Sequence, residues 1–363
     1  MSGRAFGSPS RYIQRKGEFD RLHAHVLPLG RKALVLVDRV VLERLGSRLE
    51  PALAGVSARI EPFGGECCSE EITRITALAA GMDVVVGVGG GKTLDTAKLA
   101  AIDNEARIVA VPTIASTDAP TSAIAVRYTA DGIYEAALRL PRNPDAVIVD
   151  PLVIVAAPAR FLVAGMGDAL STYFEARSNI EKRNPNLVGA GYAAPLAGIA
   201  IARSCHEILM RDGLAAKLAA ERGACTAAVE NIIEANTLLS GLGFENCNVS
   251  AAHGIHDGLT VLDETHGFFH GEKVAFGTLC LLMLEGRALA EIAETAAFCR
   301  SVGLPTSLAD LKLGNAKPAD IERVAEAALK PGTPTHNVPV ELTVPLVRDA
   351  ILALDAFTSG ITA

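Results

Sequence analysis

Between residues 33 and about 157, short runs of β-branched apolar residues alternate with segments whose apolar positions recur at helical spacing. The runs 33–38, 58–63, 83–89, 107–113, 123–129 and 146–155 read as strands. Four of these runs are nearly continuous in apolar residues, as expected for strands covered on both faces of a parallel sheet. After Pro158 the strand pattern stops, and Ala/Leu-rich helical spacing runs through 161–180, 190–211, 225–242, 273–290 and 319–329. The change of period predicts an α/β domain over 1–157 and an all-helical domain over 158–363, closely packed around a cleft. Asn143-Pro144, Asp150-Pro151 and Ala157-Pro158 mark turns near the boundary.

Composition narrows the class. Half of the 363 residues are hydrophobic, enough for a large core, and the length favours two domains over one. A net charge of −7 argues against nucleic acid and anionic membranes as partners, because phosphate binding needs clustered Lys and Arg. Seven cysteines, odd in number and without a CxxC pair, read as reduced thiols of a cytoplasmic protein. The first 30 residues are polar and charged, so no secretory signal is expected. The most membrane-like stretch, 187–202, contains Pro195 and falls short of the ~18 apolar residues of a spanning helix. It reads as a buried core helix.

The segment 83–98, DVVVGVGGGKTLDTAK, joins a strand to a helix through four glycines in five residues. Backbone amides at such a turn, with the positive end of the following helix, can cradle a diphosphate. Val86 stands where a P-loop needs its first Gly, and Lys92 stands where GxGxxG needs its third. The turn alone therefore also fits a tight connection without ligand. Asp38 ends the strand ALVLVD, at the edge where open α/β sheets bind ligands. It could receive a ribose and repel a 2′-phosphate, favouring NAD over NADP, or it could be a turn residue. It precedes the glycines by about 50 positions, opposite to the usual order, so a Rossmann-like domain here would be a variant. The loop 113–122, TIASTDAPTS, sets hydroxyls and one carboxylate after another apolar strand. It suits recognition of ribose or substrate hydroxyls, and equally a capped helix start.

Four of the eight histidines, His253, His256, His266 and His270, fall within 18 residues. His253 and His256 share one side of a helix, and His266 with His270 could chelate at i, i+4, although Gly267 and Gly271 weaken that helix. Two imidazoles and a carboxylate would give a three-ligand metal site open to a substrate oxygen. Asp168, in AGMGDALST, is the candidate carboxylate; acids near helix starts are common for other reasons. His23, His25, His206 and His336 stand apart and read as surface or packing residues.

The segments GVGGGKTLDTAK, PTIASTDAPTSA, GMGDALSTYFEAR, GLGFE, AAHGIHDGL and HGEKVAFGTL, in order through most of the chain, resemble the glycerol dehydrogenases. These belong to the wider group of iron-containing alcohol dehydrogenases and dehydroquinate synthases. The resemblance implies a dehydroquinate synthase-like fold, an N-terminal NAD domain, a helical C-terminal domain and a metal between them. Asp168, His253 and His270 would bind the metal, with His256 outside that set. Asp118 would hold a substrate hydroxyl. Asp38 would meet the adenosine ribose, Gly91, Lys92, Thr93, Leu94 and Asp95 the diphosphate, and Thr113, Ser116, Ser122, Ile124 and Tyr128 the rest of the cofactor. Iron-dependent relatives carry His four residues after the aspartate ligand; Thr172 is there in this chain, which favours Zn²⁺. Gly254 stands where these enzymes have Ala, and Asp257 where they have Asn. The implied reaction is NAD-dependent oxidation of glycerol to dihydroxyacetone by a homo-oligomer, octameric in many relatives. Another small vicinal diol is the alternative substrate. Relatives acting on phosphates, glycerol-1-phosphate dehydrogenase and dehydroquinate synthase, need basic side chains, and only Lys273 and Arg177 are near the implied ligands in sequence.

Overall fold

The computed structural model describes residues 3–360. Its contacts define two compact units. One joins Gly7–Phe161 to Ala219–Leu242; the other joins Leu162–Leu218 to the chain from Gly243 onward and to the N-terminal residues up to Phe6.

The first unit contains β1 (Tyr12–Gln14), β2 (Lys32–Val37), β3 (Ser57–Pro62), β4 (Val84–Gly89), β5 (Arg107–Pro112), β6 (Ile124–Tyr128), β7 (Tyr134–Arg139) and β8 (Ala146–Val149). Six of them form one sheet in the order β1-β8-β5-β4-β2-β3, with every pairing parallel. Alternate residues of the central strands fill two separate cores. Val35, Val37, Val84, Val86 and Val88 face one layer, and Leu34, Leu36, Val85 and Ile108 face the other with Ala97 and Ala101 of the helix Gly91–Asp103. This two-sided burial is why the strands lack polar alternation.

The order of connection reverses between β2 and β4, since β3 lies outside β2 whereas β5 and β8 follow on the far side of β4. The carboxyl ends of β2 and β4 are thus neighbours at a switch point, where open α/β sheets form ligand crevices. Asp38 N–H donates to the Val88 carbonyl at 2.9 Å. That adjacency explains how an acid 50 positions ahead of the glycines comes to sit beside them.

Several expectations are corrected. The run 123–129 is a strand, but β6 pairs with β7 in an antiparallel hairpin outside the parallel sheet. The run 146–155 is strand only to Val149, because the Asp150 side chain accepts from Leu152 N–H and Pro151 opens the helix Pro151–Val155. β1 and the largely exposed β7 lack the apolar runs by which strands are read.

Beyond Val149 the described residues contain no further strand of the sheets. The helix expected at 190–211 spans Leu196–Ala220; Gly189 and Gly191 hold positive φ, and Pro195 precedes the first turn. The stretch 187–202 is therefore no continuous buried helix, and Leu196 is 74% exposed. The run 225–242 divides into the helix Ala227–Glu234, a π-turn Ala235–Leu239 and the start of Ser240–Cys247. The run 273–290 is the helix His270–Leu284 followed by a break. No helix among the described residues is long and apolar enough to cross a membrane.

Candidate active site

Three helices of the second unit build the metal-like cluster. Asp168 lies in Ala159–Lys182, His253 in Ala251–Leu259, and His270 opens His270–Leu284. Glycines set the spacing. A Cβ on Gly167 would lie 2.3 Å from the Gly271 carbonyl oxygen, and one on Gly271 would lie 1.8 Å from that of Ala164. Two helices therefore touch backbone to backbone, one residue from Asp168 and one from His270. A Cβ on Gly277 would similarly reach Ala252 O at 2.3 Å, which brings in the helix that carries His253. Gly271, read as a helix breaker, instead permits this contact. Gly254 is also required, because a Cβ there would fall 1.8 Å from Thr335 Oγ1.

One ligand atom from each of Asp168, His253 and His270 lies within 4.8 Å of the others. Asp168 Oδ1 is 3.2 Å from His270 Nε2 and 3.6 Å from His253 Nε2. Each imidazole is held from behind by a different device. Glu175, two helical turns after Asp168 and fully buried, accepts from His253 Nδ1 at 2.7 Å and from Ser250 N–H and His253 N–H. His270 is held through a neighbour. Asp257 Oδ1 lies 3.0 Å from His256 Nδ1, and His256 Nε2 lies 3.0 Å from His270 Nδ1. A carboxylate accepts, so His256 can donate from Nδ1 to Asp257 and receive His270 Nδ1–H at Nε2, which fixes the His270 ring with Nε2 toward Asp168.

The electrostatics agree. Burial, then His270 and Lys273, hold the His256 pKa well below the ordinary range, which keeps it the neutral link that this chain needs. Burial opposes charge on His253, but Glu175 and Asp168 outweigh it and push the imidazole up. Burial would raise Asp168, yet His270 and His253 hold it below the ordinary carboxylate value. One carboxylate and two backed imidazoles are a donor set for a divalent ion, with outer-sphere support, so these residues fit such an ion. His266 is not part of the cluster: its Nε2 lies 2.9 Å from the Thr260 carbonyl, and it shares no helix with His270. Glu175 went unread in the sequence, although its i, i+7 relation to Asp168 marks one helical face.

The other candidates cluster in the first unit. Gly90 caps the helix Gly91–Asp103 without a side-chain cap hydrogen bond, and first-turn amides of a helix are groups that a ligand can satisfy. Gly89 has no room for a Cβ, which would stand 2.7 Å from Thr93 Oγ1 and 3.1 Å from Asp38 Cβ. This backbone cradle fits a diphosphate. Within it, Leu94 and Thr93 are buried, Lys92 is exposed, and the Lys92 ammonium lies 4.7 Å over the Tyr128 ring. Asp95 is engaged in the fold: Oδ1 receives Lys98 Nζ at 3.0 Å and Oδ2 receives Val126 N–H at 2.9 Å. Asp38 Oδ1 caps the helix Arg39–Ala52 by accepting from Val40 N–H at 2.9 Å. Thr113 and Ser116 follow β5, Ser122 precedes β6, Ile124 and Tyr128 lie on β6, and Asp118 is half-buried in the loop between.

Comparison with known proteins places the chain in a family. The profile of the iron-containing alcohol dehydrogenase family matches residues 9–151. A glycerol dehydrogenase of Thermotoga maritima is 46% identical over 351 residues, covering 96% of each chain. A glycolaldehyde reductase of Halobacterium salinarum is 42% identical over 96% of each chain. The crystal structure of a probable glycerol dehydrogenase from Sinorhizobium meliloti 1021 superposes with a TM-score of 0.95 at 65% identity, covering 99% of this chain and all of that one. With near-full-length identity to such relatives, this chain belongs to the iron-containing alcohol dehydrogenase family, on the branch that holds the glycerol dehydrogenases.

Proposed function

We propose that the protein is an NAD-dependent, zinc-assisted glycerol dehydrogenase: glycerol and NAD⁺ give dihydroxyacetone, NADH and a proton. The observation that carries this reading is the convergence of Asp168, His253 and His270 within 4.8 Å, with the glycine cradle and Asp38 together at the sheet's switch point. A bound Zn²⁺ would supply Lewis acidity that lowers the pKa of the reacting secondary hydroxyl, and NAD would accept the hydride.

The protein's part is position. Asp168, His253 and His270 hold the ion, with Glu175 and the His256–Asp257 pair fixing the two rings. The amides of Gly91 to Asp95 receive the diphosphate, and Asp38 takes the ribose and disfavours a 2′-phosphate. Thr113, Ser116, Ser122, Ile124 and Tyr128 complete the cofactor's surroundings, and Asp118 accepts a further substrate hydroxyl. Zinc is preferred over iron because Thr172 offers no imidazole one turn after Asp168. A phosphorylated substrate is disfavoured: Arg177 is bound to Glu291 at 2.6 Å, and burial lowers the Lys273 pKa. The seven cysteines form no disulfide, which suits the cytoplasm, and the family resemblance favours a homo-oligomer.

NADH formation from glycerol should depend on added Zn²⁺, and His270→Ala should lower it at least about 10³-fold while far-UV circular dichroism is unchanged. Activity that survives both substitution and chelation would refute the zinc assignment. 1,2-Propanediol in the same assay, and glycolaldehyde with NADH in the reverse direction, where NADH is consumed, rank the substrate class.

A further inference from the structure

The π-turn Ala235–Leu239 has no part in the reaction as described, yet it interrupts an otherwise continuous helical stretch. Ser240 N–H reaches back to the Ala235 carbonyl, five residues away. Such insertions recur at functional sites because they re-aim the side chains that follow. Here they face the loop that carries Asp118. Asn236 Nδ2 donates to Ala115 O at 2.9 Å, Thr121 Oγ1 donates to Thr237 O at 2.9 Å, and Ser240 Oγ donates to Asp118 Oδ2 at 2.9 Å. At Gly241 the two segments touch, since a Cβ would fall 1.9 Å from Thr121 Oγ1 and 2.9 Å from Asp118 O. Asn236, Thr237, Ser240 and Thr121 are all buried.

We propose that Ser240 is a positioning residue for specificity. Its hydroxyl, aimed by the π-turn, fixes the Asp118 carboxylate so that the other oxygen meets a second hydroxyl of the substrate. The inference rests on the reading of Asp118 as the acceptor of that hydroxyl. A half-buried carboxylate on a loop has rotamers to lose on binding. The bond from Ser240 removes that freedom in advance, and pre-organisation of this kind appears as affinity.

The test uses the intact zinc-loaded protein with NAD and two substrates: glycerol, and 2-propanol, which carries the reacting hydroxyl alone. Ser240→Ala should raise KM for glycerol about tenfold, the scale of one hydrogen bond to a charged group, with kcat little changed. The rate on 2-propanol should not move, so the preference for glycerol falls about tenfold. Ser240→Cys, nearly isosteric with a weaker donor, should show a smaller fall in preference; it carries the test if the alanine variant does not fold. Equal losses on both substrates would mean that Ser240 only supports the fold, and the inference fails. It also fails if Asp118→Asn removes the preference while neither Ser240 variant does. Should Asp118→Asn itself leave the preference intact, the reading of Asp118 falls and takes the inference with it.

Discussion

The glycine turn of the α/β unit and the Asp168 cluster of the helical unit both depend on glycine, the first for packing against side chains and the second for packing against backbone. At residues 89–91 the nearest atoms to an added Cβ are side-chain atoms, of Thr93 and Asp38, of Ile114, and of Thr117, and the groups proposed to receive the diphosphate are amides within one short segment. At Gly167 and Gly271 the absent side chains let two helices touch, and the candidate metal ligands are neighbouring side chains drawn from positions 168, 253 and 270. The first kind of site is local and tolerant of small shifts; the second is a tertiary construction that fails if its helices move apart.

The largest test of this contrast is Gly271→Ala. Its Cβ would meet the Ala164 backbone, which cannot rotate away, so we expect about 3 kcal/mol of destabilisation by chemical denaturation and loss of stoichiometric zinc by elemental analysis. Gly89→Ala meets only the Thr93 and Asp38 side chains and should cost less, with the effect concentrated in KM for NAD. Comparable destabilisation by the two would erase the distinction. Next in size is Glu175→Gln, which keeps the volume but removes the charge behind His253. Zinc affinity, measured against a chromophoric chelator, should weaken 10- to 100-fold; an unchanged affinity would assign Glu175 to packing. Smallest is Asp38. Its replacement by Ala should cost about 1 kcal/mol through loss of the helix cap. Asp38→Asn should keep the cap and yet lower the preference for NAD over NADP. If the cofactor preference is the same in Asp38→Asn, the residue is a cap and nothing more.

The same contrast separates what could be read in the sequence from what could not. The central strands were legible because burial on both faces writes an unbroken apolar run, and the turn because its glycines are contiguous. Strand β7 was not, since YEAALR is largely exposed and carries no apolar run. The end of β8 is hidden in the sequence because PLVIV continues the apolar run, although Asp150-Pro151 holds the signal of a helix start. In the cluster, His253 and His270 are legible from the density of histidines and from the family segments that carry them. Glu175 and Ser240 are not, because a mid-helix acid reads as surface and a serine near glycines reads as nothing. Their roles come from partners 78 and 122 positions away. Gly254 departs from the Ala expected after the first histidine, and Thr335 gives the reason.

The return of Ala219–Leu242 to the α/β unit bears on how the protein is made. When residue 161 leaves the ribosome every strand of the parallel sheet has been synthesised, but Asn236, Thr237 and Ser240 have not. At roughly 5–20 residues per second, the Asp118 loop waits on the order of 10 s for the segment that clamps it. A fragment truncated at the end of the sheet would lack that segment altogether, so translation order makes the anchoring of the Asp118 carboxylate a late acquisition of the nascent chain.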